Sequence, residues 1–230
     1  MHRTAEEVVN AGRSEGMEYN DVKTNLMVEK WFSNVPAHVL DDIAGSEELL
    51  KKLKEELKYQ GVEFQKIKEI LQLKKSSTYF FYGVSGSGVG YMARAFAREL
   101  VNTGMMYMEA KGSELLSKYV GEGEKNIALL FQNAKNREPV VLVIDEVEQI
   151  CANRSEVPMS QYLFGLTNTF LSEYHAIQSS NVTVIAISNQ PWNVDNCLVD
   201  HAKCFRVDAP DSAMEEQERV KEFEKNTLLL

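Results

Sequence analysis

Short apolar runs alternate with helical patterns along most of this chain, and this alternation limits its fold more than any other feature. The strand-like runs are, in order, STYFFYG, MMYMEA, PVVLVIDEV, NVTVIAISN and a weaker CFRVDA. Between them lie YMARAFARELVNTG, GEKNIALLFQNAKN and YLFGLTNTFLSEYHAI, whose apolar residues recur at helical spacing. Strands joined by helical crossovers form a parallel sheet with both faces covered. We therefore predict an α/β fold, a three-layer sandwich around a parallel sheet of about five strands.

Composition argues against several functional classes. The 230 residues are 44% hydrophobic, which is enough for a sizeable core, and their net charge of −9 repels phosphate backbones. We therefore expect no nucleic-acid binding. The three cysteines are widely spaced without a CxxC pair, which argues against a disulfide framework or a zinc site. Because no long apolar run and no signal-peptide pattern occur, we expect no integral membrane segment and a cytoplasmic location.

The stretch GVSGSGVG, residues 83–90, follows the first strand-like run and opens a helical pattern. In this setting backbone N–H groups and the helix N-terminus can bind phosphate. Gly83 and Gly88 fit the pattern G-x-x-x-x-G-K-[S/T], but Val89 stands at the lysine position and Gly90 at the hydroxyl position. A charged hydrogen bond contributes about 1.5–3 kcal/mol, so loss of the lysine alone should weaken phosphate binding roughly 10- to 100-fold. The alternative is a tight turn that binds no ligand.

Polar residues end two of the predicted buried strands. Asp145 and Glu146 follow VVLVI, and Asn189 ends NVTVIAISN. Ligands of parallel sheets bind at the carboxyl ends of the strands. There an aspartate can hold a magnesium-bound water, a glutamate can orient an attacking water, and an amide can position water or a γ-phosphate. The alternatives are a solvated pair of carboxylates at a loop start and an ordinary turn asparagine.

Residues 112–156, GSELLSKYVGEGEKNIALLFQNAKNREPVVLVIDEVEQICANRSE, resemble the large subdomain of AAA ATPases. The resemblance is greatest to the clade of katanin, spastin, fidgetin and the vacuolar-sorting ATPase that disassembles ESCRT polymers. VLDDIAGSEELLKKLKEEL (39–57) and ISNQPWNVD (187–195) resemble the entry segment and the sensor strand of that clade. The resemblance covers roughly residues 39–212 and implies that the predicted sandwich is P-loop NTPase-like.

The resemblance also implies a role for each matching residue, with ATP or ADP and Mg²⁺ as cofactors. It makes Asp145 the magnesium-side carboxylate, Glu146 the catalytic base and Asn189 the catalytic sensor. The implied cofactor-binding residues besides Asp145 are Asp42, Ile43, Ala44 and Gly45 of an adenine turn, and Gly86, Ser87, Gly88, Val89 and Gly90 of the loop. The implied substrate pore loop consists of Lys118, Tyr119 and Val120.

The sequence departs from the family pattern where hydrolysis would be affected. Val89 and Gly90 replace the loop lysine and hydroxyl, and Val199, Asp200 and His201 occupy roughly the places of the arginine fingers. Loss of an arginine finger can lower the rate of phosphoryl transfer 10³- to 10⁵-fold. We therefore predict a catalytically degenerate protein, a regulatory or scaffolding pseudo-ATPase with weak or no binding of ATP or ADP.

Two alternatives remain open at this point. One is an active ATP-hydrolysing AAA protein with an unorthodox phosphate site that uses Lys74, Lys75 or a basic residue of a partner. The other is a scaffold that binds no nucleotide.

We predict three parts for the chain: a polar N-terminal arm (1–38), an AAA-like nucleotide-binding large subdomain (39–212) and a charged, helical C-terminal tail (213–230). In the family, a helical lid follows the large subdomain. Because this sequence ends soon after residue 212, we expect the lid to be absent and ring closure to be unfavourable. The resemblance implies protein partners in protein-complex remodelling, such as an active AAA paralogue or an ESCRT-like polymer.

Overall fold

The computed structural model describes residues 19–32, 35–60, 70, 77–155 and 159–209. It contains a five-stranded sheet in the order β2-β3-β4-β1-β5, and each neighbouring pair of strands is parallel. This confirms the predicted α/β fold and its sheet. The strands are β1 (Ser77–Tyr82), β2 (Met106–Lys111), β3 (Val140–Asp145), β4 (Val182–Ser188) and β5 (Lys203–Arg206).

Of the described helices, two precede β1, and the others connect consecutive strands and return the chain to the same edge of the sheet. They are α1 (Tyr19–Trp31), α2 (Glu47–Lys58), α3 (Val89–Asn102), α4 (Gly112–Leu115), α5 (Glu122–Asn136), α6 (Gln161–Ala176) and α7 (Asn196–Val199). Three 3-10 turns lie at Leu40–Asp42, Val147–Gln149 and Pro191–Asn193. None of the helices in the described ranges is both long enough and apolar enough to cross a membrane.

The sheet separates two hydrophobic cores. Successive side chains of a strand point to opposite faces, so Phe80 packs into one core while Tyr79 and Phe81 pack into the other. The first core also holds the apolar faces of α5 and α6, and the second holds those of α2 and α3. Burial on both faces explains why the strands read as continuous apolar runs rather than as alternating patterns.

Helix α1 lies within the segment predicted as a polar arm, yet its last residue belongs to the first core. Trp31 is only 1% exposed and packs there. Lys30 Nζ lies 2.7 Å from Glu114 Oε1 at the start of α4. At least this part of the arm therefore contributes to the folded body. Residues 1–18 of the arm and the predicted tail 213–230 lie outside the described residues.

The parallel register brings the candidate site residues to one edge of the sheet. Tyr82, the last residue of β1, pairs with Ser188, the last residue of β4. Strand β4 lies between β1 and β3, and β3 ends at Asp145. The glycine loop, the acidic pair and Asn189 therefore follow three adjacent strands at their carboxyl ends.

Candidate functional site

The glycine loop presents an open backbone surface at the start of α3. Gly86 and Gly88 have φ angles of 87° and 84°, which L side chains rarely adopt. A Cβ built on either residue would meet no atom of the described chain within 4 Å. Gly88 is the N-cap of α3, and no side chain of the described residues caps the helix there. Backbone N–H groups in such a loop, together with the helix N-terminus, are suited to bind a phosphate.

Neither of the last two loop residues, Val89 and Gly90, offers a side chain to a phosphate. Val89 is 5% exposed and packs into the second core. A side chain at position 90 would require Arg94 to shift, because a Cβ on Gly90 would lie 2.6 Å from Nη1 of Arg94. The space that a hydroxyl side chain would need is therefore occupied by a guanidinium.

Arg94 extends from α3 to two carboxylates, one within β2 and one at the end of β3. Its Nη2 lies 2.7 Å from Oδ2 of Asp145 and 2.7 Å from Oε1 of Glu109. Its Nε donates a second hydrogen bond of 2.8 Å to Oε1 of Glu109. The hydroxyl of Tyr107 donates to the other oxygen of Glu109 at 2.5 Å. These four side chains form one ionic cluster beside the glycine loop.

The cluster is partly buried, with 28% of the Arg94 side chain, 20% of Glu109 and 18% of Asp145 exposed. Burial acts to lower the pKa of Arg94, but the hydrogen bonds and charges of Glu109 and Asp145 raise that pKa above its usual value. Burial and the charge of Glu109 raise the pKa of Tyr107. The guanidinium therefore stays charged and the phenol stays protonated at neutral pH.

A magnesium ion does not fit at Asp145 in this arrangement. Its Oδ2 accepts from Arg94, and its Oδ1 accepts from the backbone N–H of Glu146 at 2.9 Å. Mg²⁺, whether it binds this carboxylate directly at about 2.0–2.1 Å or through one of its waters, would meet the positive guanidinium here. The magnesium-side role of Asp145 thus remains a prediction that requires Arg94 to move away.

Glu146 adopts a left-handed backbone conformation with φ of 55°. Its carboxylate accepts a hydrogen bond of 2.5 Å from the hydroxyl of Ser113, which lies in α4 after β2. A Cβ on Gly112 would lie 2.3 Å from the backbone oxygen of Glu146, so the two segments are in close contact. This contact joins the Glu146 carboxylate to the segment that follows β2, the neighbour of β3 on the side opposite to β4.

The predicted adenine turn, Asp42 to Gly45, lies beside the start of α3. Leu40, just before the turn, is buried in the second core with α3. The ring of His38 lies 4.5 Å from the ring of Tyr91, in the first turn of that helix. Asn189 is exposed immediately after β4. The structure thus brings both elements to the same edge as the loop.

The segment predicted to occupy the place of the arginine fingers, residues 199–201, carries no guanidinium. Val199 ends α7, and Asp200 and His201 are exposed in the turn that follows. Nδ1 of His201 lies 2.8 Å from the backbone oxygen of Cys197, so the imidazole contacts its own turn. The three residues of this segment thus include no arginine or lysine.

The predicted pore loop projects from the body. Tyr119 is 69% exposed and Val120 is 97% exposed. Tyr162 fixes the base of the loop, because its hydroxyl accepts from the N–H of Ser117 at 3.2 Å and donates to the carbonyl of the same residue at 3.0 Å. An anchored base with exposed apolar side chains is suited to contact another chain.

Comparison with known proteins decides the family. Residues 79–210, more than half of the chain, match the family described as "ATPase family associated with various cellular activities (AAA)". The chain belongs to the AAA family. The matched range includes the glycine loop, the acidic pair and Asn189.

Relatives come from several branches of this AAA family. The chain is 30% identical over 192 residues to ATPase family gene 2 protein of Schizosaccharomyces pombe, covering 82% of this chain and 22% of the relative. It is 32% identical over 169 residues to cell division control protein 48 homolog C of Arabidopsis thaliana, covering 74% and 20%. It is 32% identical over 119 residues to vacuolar protein sorting-associated protein 4B of Mus musculus, covering 51% and 26%. The chain thus spans about a fifth to a quarter of the length of these relatives.

The sequence pattern does not single out two residues of this site, Arg94 and Glu109. Arg94 lies within a helical pattern, and Glu109 interrupts the apolar run of β2. The sequence does contain one indication of Arg94. A glycine at the hydroxyl position leaves space for a long, positively charged side chain one helical turn later. Residues four apart on a helix lie on the same face, so Arg94 could have been identified as the neighbour of Gly90.

Glu148 is a further carboxylate of the AAA domain close to the acidic pair. One of its oxygens is buried without a hydrogen-bond partner among the described residues. Burial raises the pKa of Glu148, the hydrogen bond from Ser188 opposes this, and the charges of Glu146 and Asp145 add to the increase. The native state therefore binds this proton more tightly than the unfolded state, and stability falls as the pH rises through the raised native pKa.

We expect Glu148→Gln to raise the thermal unfolding midpoint at pH 7.5 relative to wild type, because the amide carries no charge to bury. The advantage should shrink as the pH falls below the native pKa, where wild-type Glu148 is itself neutral. Thermal unfolding followed by circular dichroism between pH 4.5 and 8 measures this difference. Glu55→Gln, at an exposed position of α2, is the control and should change the midpoint little. An advantage that persists at low pH would exclude charge burial as the cause.

Proposed function

We propose that this chain is a catalytically degenerate AAA domain, a regulatory or scaffolding pseudo-ATPase that binds ATP or ADP weakly and does not hydrolyse it. The observation that carries the proposal is the ion pair of 2.7 Å between Arg94 and Asp145. A carboxylate that serves phosphoryl transfer has to face a metal ion, whereas this one faces a fixed cation of its own chain.

Three separate features oppose hydrolysis, and they lie on different elements. Val89 packs into the core where a lysine would reach a phosphate, and Gly90 gives its space to a guanidinium. The segment 199–201 has no arginine to offer to the site of a neighbouring subunit. Because each feature affects a different contribution to the same reaction, their joint presence favours loss of turnover more strongly than any one of them.

Weak nucleotide binding is supported by the parts of the site that do not depend on these side chains. The backbone at Gly86 and Gly88 is open, and the turn at residues 42–45 lies beside α3. Backbone donors bind phosphate whatever side chains follow. Loss of the lysine should still leave affinity roughly 10- to 100-fold below that of a loop that has one.

The proposal also includes protein partners, with which the chain would act in the cytoplasm in the remodelling of protein complexes. The exposed Tyr119 and Val120 support it, since an aromatic residue on an anchored loop can grip an extended peptide. Relatives include both cell division control protein 48 and vacuolar sorting types. An active AAA paralogue or an ESCRT-like polymer is the kind of partner that we propose.

An active ATPase is the second candidate. The observation in its favour is that Asp145 and Glu146 are both present at the end of β3, although a site without turnover has no need of the pair. Such an enzyme would need another source of positive charge for the phosphates. Lys74 and Lys75, the residues considered for that role, lie outside the described residues.

Calorimetric titration with ADP and ATP tests the binding part of the proposal. We expect weak binding to wild type that is lost in Gly88→Asp, because a carboxylate at the start of α3 repels phosphate. Gly104→Asp is the matched control, since Gly104 also has a positive φ (100°) and open space but lies after α3. A wild type that binds no nucleotide up to millimolar concentrations would favour the pure scaffold. Equal affinities of wild type and Gly88→Asp would exclude the loop as the binding site.

A further inference from the structure

Two carboxylates from neighbouring strands converge on a single nitrogen atom in this domain. Oδ2 of Asp145 and Oε1 of Glu109 each lie 2.7 Å from Nη2 of Arg94. The two strands pair in register, with Ala110 opposite Ile144 and Lys111 opposite Asp145. Oxygen atoms from two carboxylates around one point form the arrangement that a divalent cation uses in proteins. Here the point is occupied by a guanidinium nitrogen.

The surroundings hold the guanidinium in this position. Glycine at position 90 leaves the space that Nη1 fills, since a Cβ there would lie 2.6 Å from it. Tyr107 donates to the remaining oxygen of Glu109 and so fixes that carboxylate toward Arg94. With 28% of its side chain exposed, Arg94 is shielded from most of the water that would otherwise compete for its hydrogen bonds.

Arg94 and a divalent metal ion cannot occupy the position between Asp145 and Glu109 at the same time, because both are positively charged. Asp145 and Glu109 together carry two negative charges, of which Arg94 neutralises one. A divalent ion at the same point would be repelled by the guanidinium at contact distance. In the described ranges, no group of three or more His, Cys, Asp or Glu side chains, around this pair or elsewhere, is arranged to hold a metal.

We infer that Arg94 is a built-in cation that takes the place of a divalent metal at Asp145, so that this site binds its phosphate ligand, a nucleoside di- or triphosphate, free of metal. The identity of the ligand rests on the proposed function. The exclusion of the metal from Asp145 does not, because it depends only on Arg94, Glu109 and Asp145.

Binding of Mn²⁺ to the nucleotide-free chain, measured by electron paramagnetic resonance, tests the exclusion. We expect no Mn²⁺ at this position in wild type at millimolar concentrations. Arg94→Met should gain one bound Mn²⁺ per chain, and Arg94→Met with Asp145→Asn should lose it again. Arg98→Met is the matched control: it removes the same charge one turn further along α3, and Arg98 is not a partner of Asp145 or Glu109 in the described chain.

Two results would overturn the inference. One is a folded Arg94→Met chain that gains no Mn²⁺. The other is a wild type that binds Mn²⁺ and loses it on Asp145→Asn, which can be measured even if the Arg94 variant does not fold.

Nucleotide titration supplies a second measurement on the wild-type chain. We expect ADP to bind with the same affinity in Mg²⁺ as in EDTA, and binding that tightens severalfold with Mg²⁺ would also overturn the inference. If no nucleotide binds at all, the proposed function loses its ligand, while the Mn²⁺ measurements still decide the role of Arg94.

Discussion

Replacing Val89 by Lys and Gly90 by Thr will restore tight, Mg²⁺-dependent binding of ATP only when Arg94 is replaced by Met as well. The triple variant should bind Mg²⁺ and ATP about 10- to 100-fold more tightly than wild type, which is the contribution of a charged hydrogen bond to phosphate. The double variant should gain less. Calorimetric titration of wild type and both variants, with Mg²⁺ and with EDTA, measures the difference.

The reason is a direct conflict for space at position 90. A threonine Cβ there would lie 2.6 Å from Nη1 of Arg94, a distance that non-bonded heavy atoms do not adopt. With Arg94 present, the hydroxyl and the guanidinium compete for one place, and Asp145 keeps its cation. Removing Arg94 frees the hydroxyl and the carboxylate together. The lysine at position 89 can keep its aliphatic stem over the second core while its ammonium reaches the loop.

The matched control carries Val89→Lys and Gly90→Thr with Arg98→Met, which removes a positive charge elsewhere on α3. It should behave like the double variant. If the double variant already binds as tightly as the triple variant, Arg94 does not obstruct the site. A triple variant that binds no better than wild type would mean that the pocket has changed beyond these three side chains.

The fold could be predicted because its physical causes are local. Apolar runs such as VVLVI and VTVIAI indicate strands buried on both faces, and the helical periods between them require parallel crossovers. Parallel strands end at the same edge, so the sequence also indicated that Gly88, Asp145 and Asn189 would lie near one another. Trp31 was missed because the surrounding segment shows no clear apolar period, although the residue itself is fully buried.

The chemistry of the site was less accessible from the sequence. Arg94 and Asp145 are 51 positions apart, and their contact depends on how α3 lies against β3. Helical spacing indicates which face of α3 is buried, but it does not indicate which groups the guanidinium of a flexible arginine contacts. In the sequence, Val89 and Gly90 appear only as two separate departures from the loop pattern. The structure shows what one of these departures permits, because Gly90 provides the space in which Arg94 neutralises Asp145.

Absence of ATP turnover is the second large effect that we expect. In the proposed function the chain lacks an arginine finger, whose loss lowers the rate of phosphoryl transfer 10³- to 10⁵-fold, and the absence of a loop lysine and of a metal contact should lower the rate further. Glu146 adds to this, because its carboxylate accepts a hydrogen bond from Ser113 that would have to break before it could orient a water. Turnover should therefore not exceed the background of the assay.

ATP hydrolysis by contaminant-free protein, compared with Glu146→Gln prepared in the same way, tests the proposed loss of catalysis most directly. The assay is run at millimolar ATP and Mg²⁺, over a range of protein concentrations so that any activity formed by association is detected. The proposal predicts that phosphate release by wild type and by Glu146→Gln is the same at every concentration. Steady turnover by wild type that Glu146→Gln abolishes would contradict it.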